Sequence, residues 1–288
     1  MKWISTTCCC SFLQVCLLLG PAQTWATDKP SLSQAARQAE TEHRFEDASR
    51  YLRDWLRQHP ADGPAWLRLA SVMTVRGDAA GAAAACARAA PFVDPIAVLA
   101  CRGRVALASL EHRRAYAPLA AALQHPRYIM RSDIWTAWAC GVAAELATAQ
   151  GLDDEADLLY RRALRGDAEP SPQIRAAWLD HLLATGRYRQ VLVHTSAHEA
   201  LGMLQLRRLI ALRHLGLGRK EASQREYLDW QYRSELASGD FLHAREIARF
   251  YLDVLPDRER ARLAAWHNLD YQREAEDYAL YHRAFADQ

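Results

Sequence analysis

Residues 64–95 read PAWLRLASVMTVRGDAAGAAAACARAAPFVDP, and this stretch decides the fold. Trp66, Leu69, Ala70 and Met73 recur at the three-and-four spacing of one helix face. Arg76-Gly77-Asp78 interrupts that pattern as a turn. A second helical run follows, rich in alanine, with Ala82, Cys86 and Ala89 on its inner side. Asp94-Pro95 then punctuates the chain, because proline lacks an N–H and disfavours helix in the residue before it.

The same design recurs on both sides. His43-Arg44-Phe45-Glu46-Asp47-Ala48, Gly151-Leu152-Asp153-Asp154-Glu155-Ala156 and Gly186-Arg187-Tyr188-Arg189-Gln190-Val191 are turns that open a helix, each with a small or β-branched residue about five positions on. Aligned on that residue, the anchors are Ala48, Ala82, Ala115, Ala156, Val191, Ala222 and Ala261, between 31 and 41 residues apart. Pro60, Pro95, Pro126 and Pro170 are expected to stop the units they follow.

A helix–turn–helix period near 34 residues resembles the tetratricopeptide repeat family. Trp66, Leu69, Ala70, Met73, Gly77, Ala82, Cys86, Ala89 and Asp94-Pro95 fall where that family places its tryptophan, leucine, small, aromatic, turn and proline positions. The first unit also fits, through Leu32, Ala35, Ala36, Ala39, Ala48, Leu52, Trp55 and Pro60, and Asp153 to Leu164 reads as a typical second helix. The third, sixth and seventh units are degenerate; Leu110 and Pro256 stand in place of the turn glycine in the third and seventh. The resemblance implies an all-α fold: a right-handed superhelical solenoid of about seven antiparallel helical hairpins with a C-terminal capping helix. Its physics is simple. Ala36 against Ala48, and Ala70 against Ala82, let two helices approach closely, while Leu52, Trp55, Trp66 and Met73 fill the layer between hairpins. The tryptophans at 55, 66, 135, 138, 178, 230 and 266 are spread along the chain and are expected in the core. Ser31 is the expected N-cap of the first helix. A terminal helix from Glu274 to Ala286 is expected to cover the last hairpin with Tyr278, Leu280, Tyr281 and Phe285.

The first 26 residues differ from the rest. A positive start at Lys2 precedes an uncharged run, most apolar from Ser11 to Gly20, then Pro21 and the small residues Thr24 and Ala26. That is the layout of a secretory signal peptide, so residues 1–26 are expected to be cleaved, leaving a helical repeat domain over 27–288 in the periplasm or outside the cell. The apolar core is short of the ~20 residues of a spanning helix, so no stable membrane span is expected afterwards. Of the seven cysteines, Cys86, Cys101 and Cys140 fall beyond it, too few for a disulfide-built scaffold. Cys86 and Cys101 lie on consecutive helices, where either a bridge or two buried thiols is possible. The net charge of +2, with 36 basic and 34 acidic residues, makes no electrostatic case for nucleic acid.

No nucleophile elbow, phosphate loop, dinucleotide turn or zinc-protease helix occurs in the chain, so neither a catalytic residue nor a cofactor is expected. His194 and His198 have the spacing of two ligands on one helix face but lack a third, and Glu40 with His43 is half of a di-iron motif without a second copy. No metal site is therefore expected. In the resembling family, the first helix of each hairpin lines a concave groove that holds a peptide or partner helix. Carried over, that register names Leu67, Ser71, Thr74, Arg104, Trp138, Glu145, Thr148, Asp180, Arg207 and His214 as groove residues. Leu67, Ser71, Ala100 and Arg104 replace the Lys and Asn of the family's carboxylate clamp, so a chaperone-tail adaptor is not expected. The reading is a non-catalytic interaction scaffold or adaptor of the bacterial cell envelope, with a protein or peptide partner. The alternative is a solenoid that binds a small molecule, lipid or glycan as an accessory to an enzyme or transporter.

Overall fold

Short polar side chains start most of the helices. Ser31 accepts from the Gln34 N–H while the Gln34 side chain returns to the Ser31 N–H, the reciprocal cap expected there. Asp62, Asp78, Asp94, Asp133 and Asp257 each accept a first-turn N–H that would otherwise be unpartnered. The computed structural model describes residues 31–109, 112–165, 171–198 and 202–286. The proposed signal peptide, Leu110, Pro170 and Glu199 lie outside them.

The described residues form sixteen α-helices and no strand. In chain order they are α1 (Leu32–Thr41), α2 (Phe45–Gln58), α3 (Gly63–Val75), α4 (Ala79–Ala89), α5 (Pro95–Ala108), α6 (His112–Gln124), α7 (Pro126–Ile129) and α8 (Ile134–Thr148). There follow α9 (Asp153–Ala163), α10 (Pro172–Ala184), α11 (Tyr188–Val193), α12 (Gly202–His214), α13 (Ala222–Ser238), α14 (Ala244–Asp253), α15 (Arg258–Tyr271) and α16 (Ala275–Phe285). Helices α1 and α2, α3 and α4, α5 and α6, α8 and α9, and α14 and α15 pack as pairs. A second series of contacts runs α3 to α5, α5 to α8, α8 to α10, α10 to α12 and α12 to α14, so alternate helices share one layer.

The small-residue logic holds where the pattern is strongest. Ala36, Ala48, Ala70 and Ala82 are all buried in one apolar cluster with Leu52 and Met73. Each fully buried leucine, such as Leu52, Leu119 or Leu146, contributes roughly 1.5–3 kcal/mol. Gly103 brings α5 onto α8: a Cβ there would stand 2.8 Å from Val142 Cγ1. Ala115 and Ala222, anchors of two degenerate units, are only half-buried, and α13 makes few close backbone approaches. Ala261 is fully buried even though its unit is degenerate.

Four expectations need correction or decision. Pro95 and Pro126 begin α5 and α7 at the first helical turn, where a missing N–H costs nothing, so they open elements as well as close them. Trp230 and Trp266 are 61% and 57% exposed and do not belong to the core. Helix α16 packs on α14 and α15 through Asp277, Leu280 and Ala284, while Tyr278 is 46% and Phe285 37% exposed, the latter stacked on Tyr281. The Cys86 and Cys101 thiols are joined in a disulfide between α4 and α5, their Cα atoms 5.9 Å apart, and Cys140 is a buried free thiol.

The chain also meets itself across long sequence distances. The Arg273 N–H donates to the Val75 carbonyl at 2.7 Å, and His43 Nδ1 lies 2.7 Å from the Leu242 carbonyl. Gly77 makes the first contact possible. Its φ of +79° suits a residue without Cβ, and a Cβ would stand 3.1 Å from that of Arg273. Segments just before α14 and α16 therefore lie against the first two hairpins.

Candidate functional site

Because alternate helices share a layer and the C-terminal segments return to the N-terminal ones, a cavity of about 1700 Å³ is left between them. Its wall is built largely from α3, α5, α8, α10, α12, α13 and the start of α14, completed by Gln272, Glu274 and Glu276. Seven of the ten residues expected in a groove line it: Ser71, Arg104, Trp138, Glu145, Thr148, Asp180 and Arg207. Three do not. Leu67 is buried in the apolar cluster of the first hairpins, and Thr74 is buried with its hydroxyl donating to the Ala70 carbonyl at 2.8 Å. The register assigned to α3 was thus rotated: Ser71 and Val75, four apart, face the cavity. His214 is exposed and stacks on Tyr188 outside it.

Arg104 sits at the centre of the electrostatics. It donates to Glu145 at 2.8 Å and to Glu274 at 2.7 Å, joining α5, α8 and the entrance of α16. Arg245 donates to Glu274 at 2.9 Å and to both oxygens of Asp277 at 2.7 Å. Asp277 also accepts from Asn268 and from the Glu274 N–H, so its carboxylate is fully occupied. The two glutamates differ for a visible reason. Burial pushes the Glu145 carboxyl above its ordinary value, because Arg104 alone offsets it. Burial acts on Glu274 as well, but Arg104 and Arg245 together outweigh it and hold that carboxyl below its ordinary value. Farther along, Asp180 is held low by Arg207 and Arg249 against its burial.

A hydroxyl, an imidazole and a carboxylate also fall in a row. Thr148 Oγ1 lies 3.1 Å from His181 Nδ1, and His181 Nε2 lies 3.5 Å from Asp157 Oδ1. The second distance is too long for a firm hydrogen bond, and Arg187 engages Asp157 from the other side. Burial, then Arg187, pulls the His181 imidazole below its ordinary value. The Thr148–His181 contact joins α8 to α10, while His181 Nε2 is left without a hydrogen bond beside Asp157 of α9.

The aromatic part of the wall includes Trp135 and Trp138, 6.2 Å apart on α8, with Tyr160 and Tyr232. Of the residues weighed as metal ligands, His43 faces the Leu242 carbonyl, Glu40 accepts from Arg68 at 2.7 Å, and His194 lies tilted against the Trp178 ring just beyond the end of α11. Sequence reasoning missed Arg245, Glu274 and Gln272. For Glu274 and Gln272 the signal was a dense run of charge and amide from 272 to 277, of which only the part from Glu274 onward was read, as a helix start; Arg245 carried no such local signal. Neither the protein-family models nor the curated proteins contain a match to this chain.

Proposed function

We propose that the chain is a secreted or periplasmic helical-repeat protein of tetratricopeptide type, a right-handed stack of about seven hairpins that binds a partner protein or peptide in its concave cavity without catalysing a reaction. The cavity carries this reading: its wall comes mainly from the first helices of successive hairpins, the surface by which such solenoids hold partners. Its volume of about 1700 Å³ exceeds the ~300–1,000 Å³ of ordinary small-molecule pockets, which favours polypeptide over a small ligand. The Cys86–Cys101 disulfide agrees with an oxidising compartment, as does the apolar leader in the sequence. Among the described residues no helix is long and apolar enough to cross a membrane.

The test is affinity capture of residues 27–288 from an envelope extract, read by mass spectrometry, beside a Ser71→Trp chain. Ser71 is exposed on the cavity wall, so the substitution fills space there without removing a buried contact. Repeated recovery of one protein by the first chain and not by the second is expected. Equal recovery by both places the partner elsewhere on the surface and refutes the cavity as the binding site.

A further inference from the structure

The wall of the cavity has a charge sign. Six carboxylates line it, from Glu40, Glu145, Asp180, Glu246, Glu274 and Glu276, against the three guanidiniums of Arg104, Arg207 and Arg245. Each of those guanidiniums is already clamped by a carboxylate: Arg104 by Glu145 and Glu274, Arg207 by Asp180, Arg245 by Glu274 and Asp277. None is left over for an anion. The carboxylates are less fully used. Glu145 has one hydrogen-bonded oxygen, Glu276 only a loose pair with Arg245 at 3.8 Å, and Glu246 no hydrogen bond to a described residue. His243, which faces the same space, is paired with Glu235 at 3.1 Å.

A second observation is independent of charge. Gln205 and Gln272 line the cavity at 7% and 8% exposure, and their carboxamides make no hydrogen bond to any described residue. Neither carboxamide is sealed off from the cavity, so each is open to water or to a ligand that enters it. An amide supplies both a donor and an acceptor, the complement of a peptide unit. Trp135 and Trp138 add ring faces of the kind that attract guanidinium and ammonium groups.

We propose that the cavity receives an extended basic segment of a partner polypeptide. Glu145, Glu246 and Glu276 take its Arg or Lys side chains, and Gln205 and Gln272 take its backbone amides. This deepens the proposed function and rests on it.

The experiment uses residues 27–288 and a fluorescein-labelled Gly-Ser peptide carrying spaced arginines, followed by fluorescence anisotropy. The same peptide with glutamates in place of arginines is the control. Saturable binding of the arginine peptide alone is expected. Glu246→Gln is expected to weaken it at least about fivefold, the attraction of two unit charges 4 Å apart even in bulk water. Glu226→Gln, on an exposed part of α13 outside the cavity, is expected to leave it unchanged. Thermal melts confirm that both variants fold. Equal binding of the glutamate peptide, or equal loss in the two variants, overturns the inference. Displacement by spermine at the same concentration as by unlabelled peptide overturns the polypeptide as occupant. If the arginine peptide does not bind while the captured partner still does, this inference fails and the proposed function stands; if neither binds, both fail.

Discussion

Replacing Arg104 by alanine is the sharpest test of how the two ends of the chain are held together. The guanidinium bridges Glu145 on α8 and Glu274 ahead of α16, at 2.8 and 2.7 Å. Removing one partner of a fully buried pair costs about 3–5 kcal/mol, because a charge is left without compensation. Here Arg104 keeps 30% of its side-chain surface and Glu145 29%, and Glu274 retains Arg245, so water and the second arginine recover part of that. The expected loss is about 2 kcal/mol at neutral pH. It has a pH signature. Without Arg104 both carboxyls move upward, and Glu145 starts from a value already raised by burial. As pH falls and they protonate, the penalty for burying them disappears, so the difference between Arg104→Ala and the parent shrinks toward zero in acid. The assay is urea unfolding at several pH values, with hydrogen exchange at residues 272–277 as a local readout. A loss under about 0.5 kcal/mol, the scale of an ordinary surface pair, would refute the reasoning. So would a loss independent of pH, or unchanged exchange in that segment.

Three further outcomes are expected. Reducing the Cys86–Cys101 bridge, or converting both to serine, should lower stability by about 3 kcal/mol, the loop-closure value for 15 residues; the check is urea unfolding with and without reductant. Gly77→Ala should cost about 1–3 kcal/mol and Gly151→Ala about 1–2, since both glycines have positive φ but only Gly77 has Arg273 against it; a pair of thermal melts compares them, and a smaller loss at Gly77 contradicts the close approach. Asp94 is worked on by burial, but the Ile96 N–H, Arg131, Tyr128 and Arg127 outweigh it and bring its pKa to about 2. Its folded value is below its unfolded one, so its contribution is full above about 4 and is lost as pH falls through about 2. Asp94→Asn should therefore flatten the acid limb of the stability–pH curve, measured by urea midpoints between neutral pH and pH about 2.

Much of the fold was legible because its determinants are local. An alanine at 48, 82 or 156 is needed by the helix packed beside it, and the turn that makes the pair lies within a few residues. Where the anchor is only half-buried, as at Ala115 and Ala222, the sequence pattern had already decayed, so pattern and packing fail together. Tryptophan misled for the opposite reason. Its size and apolarity argue for burial at any position, but Trp230 sits on α13 two residues from each of the buried Leu228 and Tyr232, so it falls on the outward face of that helix.

The cavity was half legible, and the missing half has one cause. Ser71, Arg104, Trp138, Glu145 and Asp180, named by the register carried over from the resembling family, all lie on the cavity wall. What closes the wall lies far away in sequence: Glu274 is 170 residues from Arg104, and Leu242 is 199 from His43. A contact at that range is set by how all the intervening helices pack on one another, and no single stretch of the sequence encodes it. The residues that make it are polar, because a segment that crosses an aqueous cavity must satisfy its own backbone and charges there. Arg104, Arg245 and Asn268 supply those partners to Glu274 and Asp277. Ion pairs confined to such a junction depend on a geometry that helix periodicity does not record, whereas the alanines that build the stack depend on nothing else.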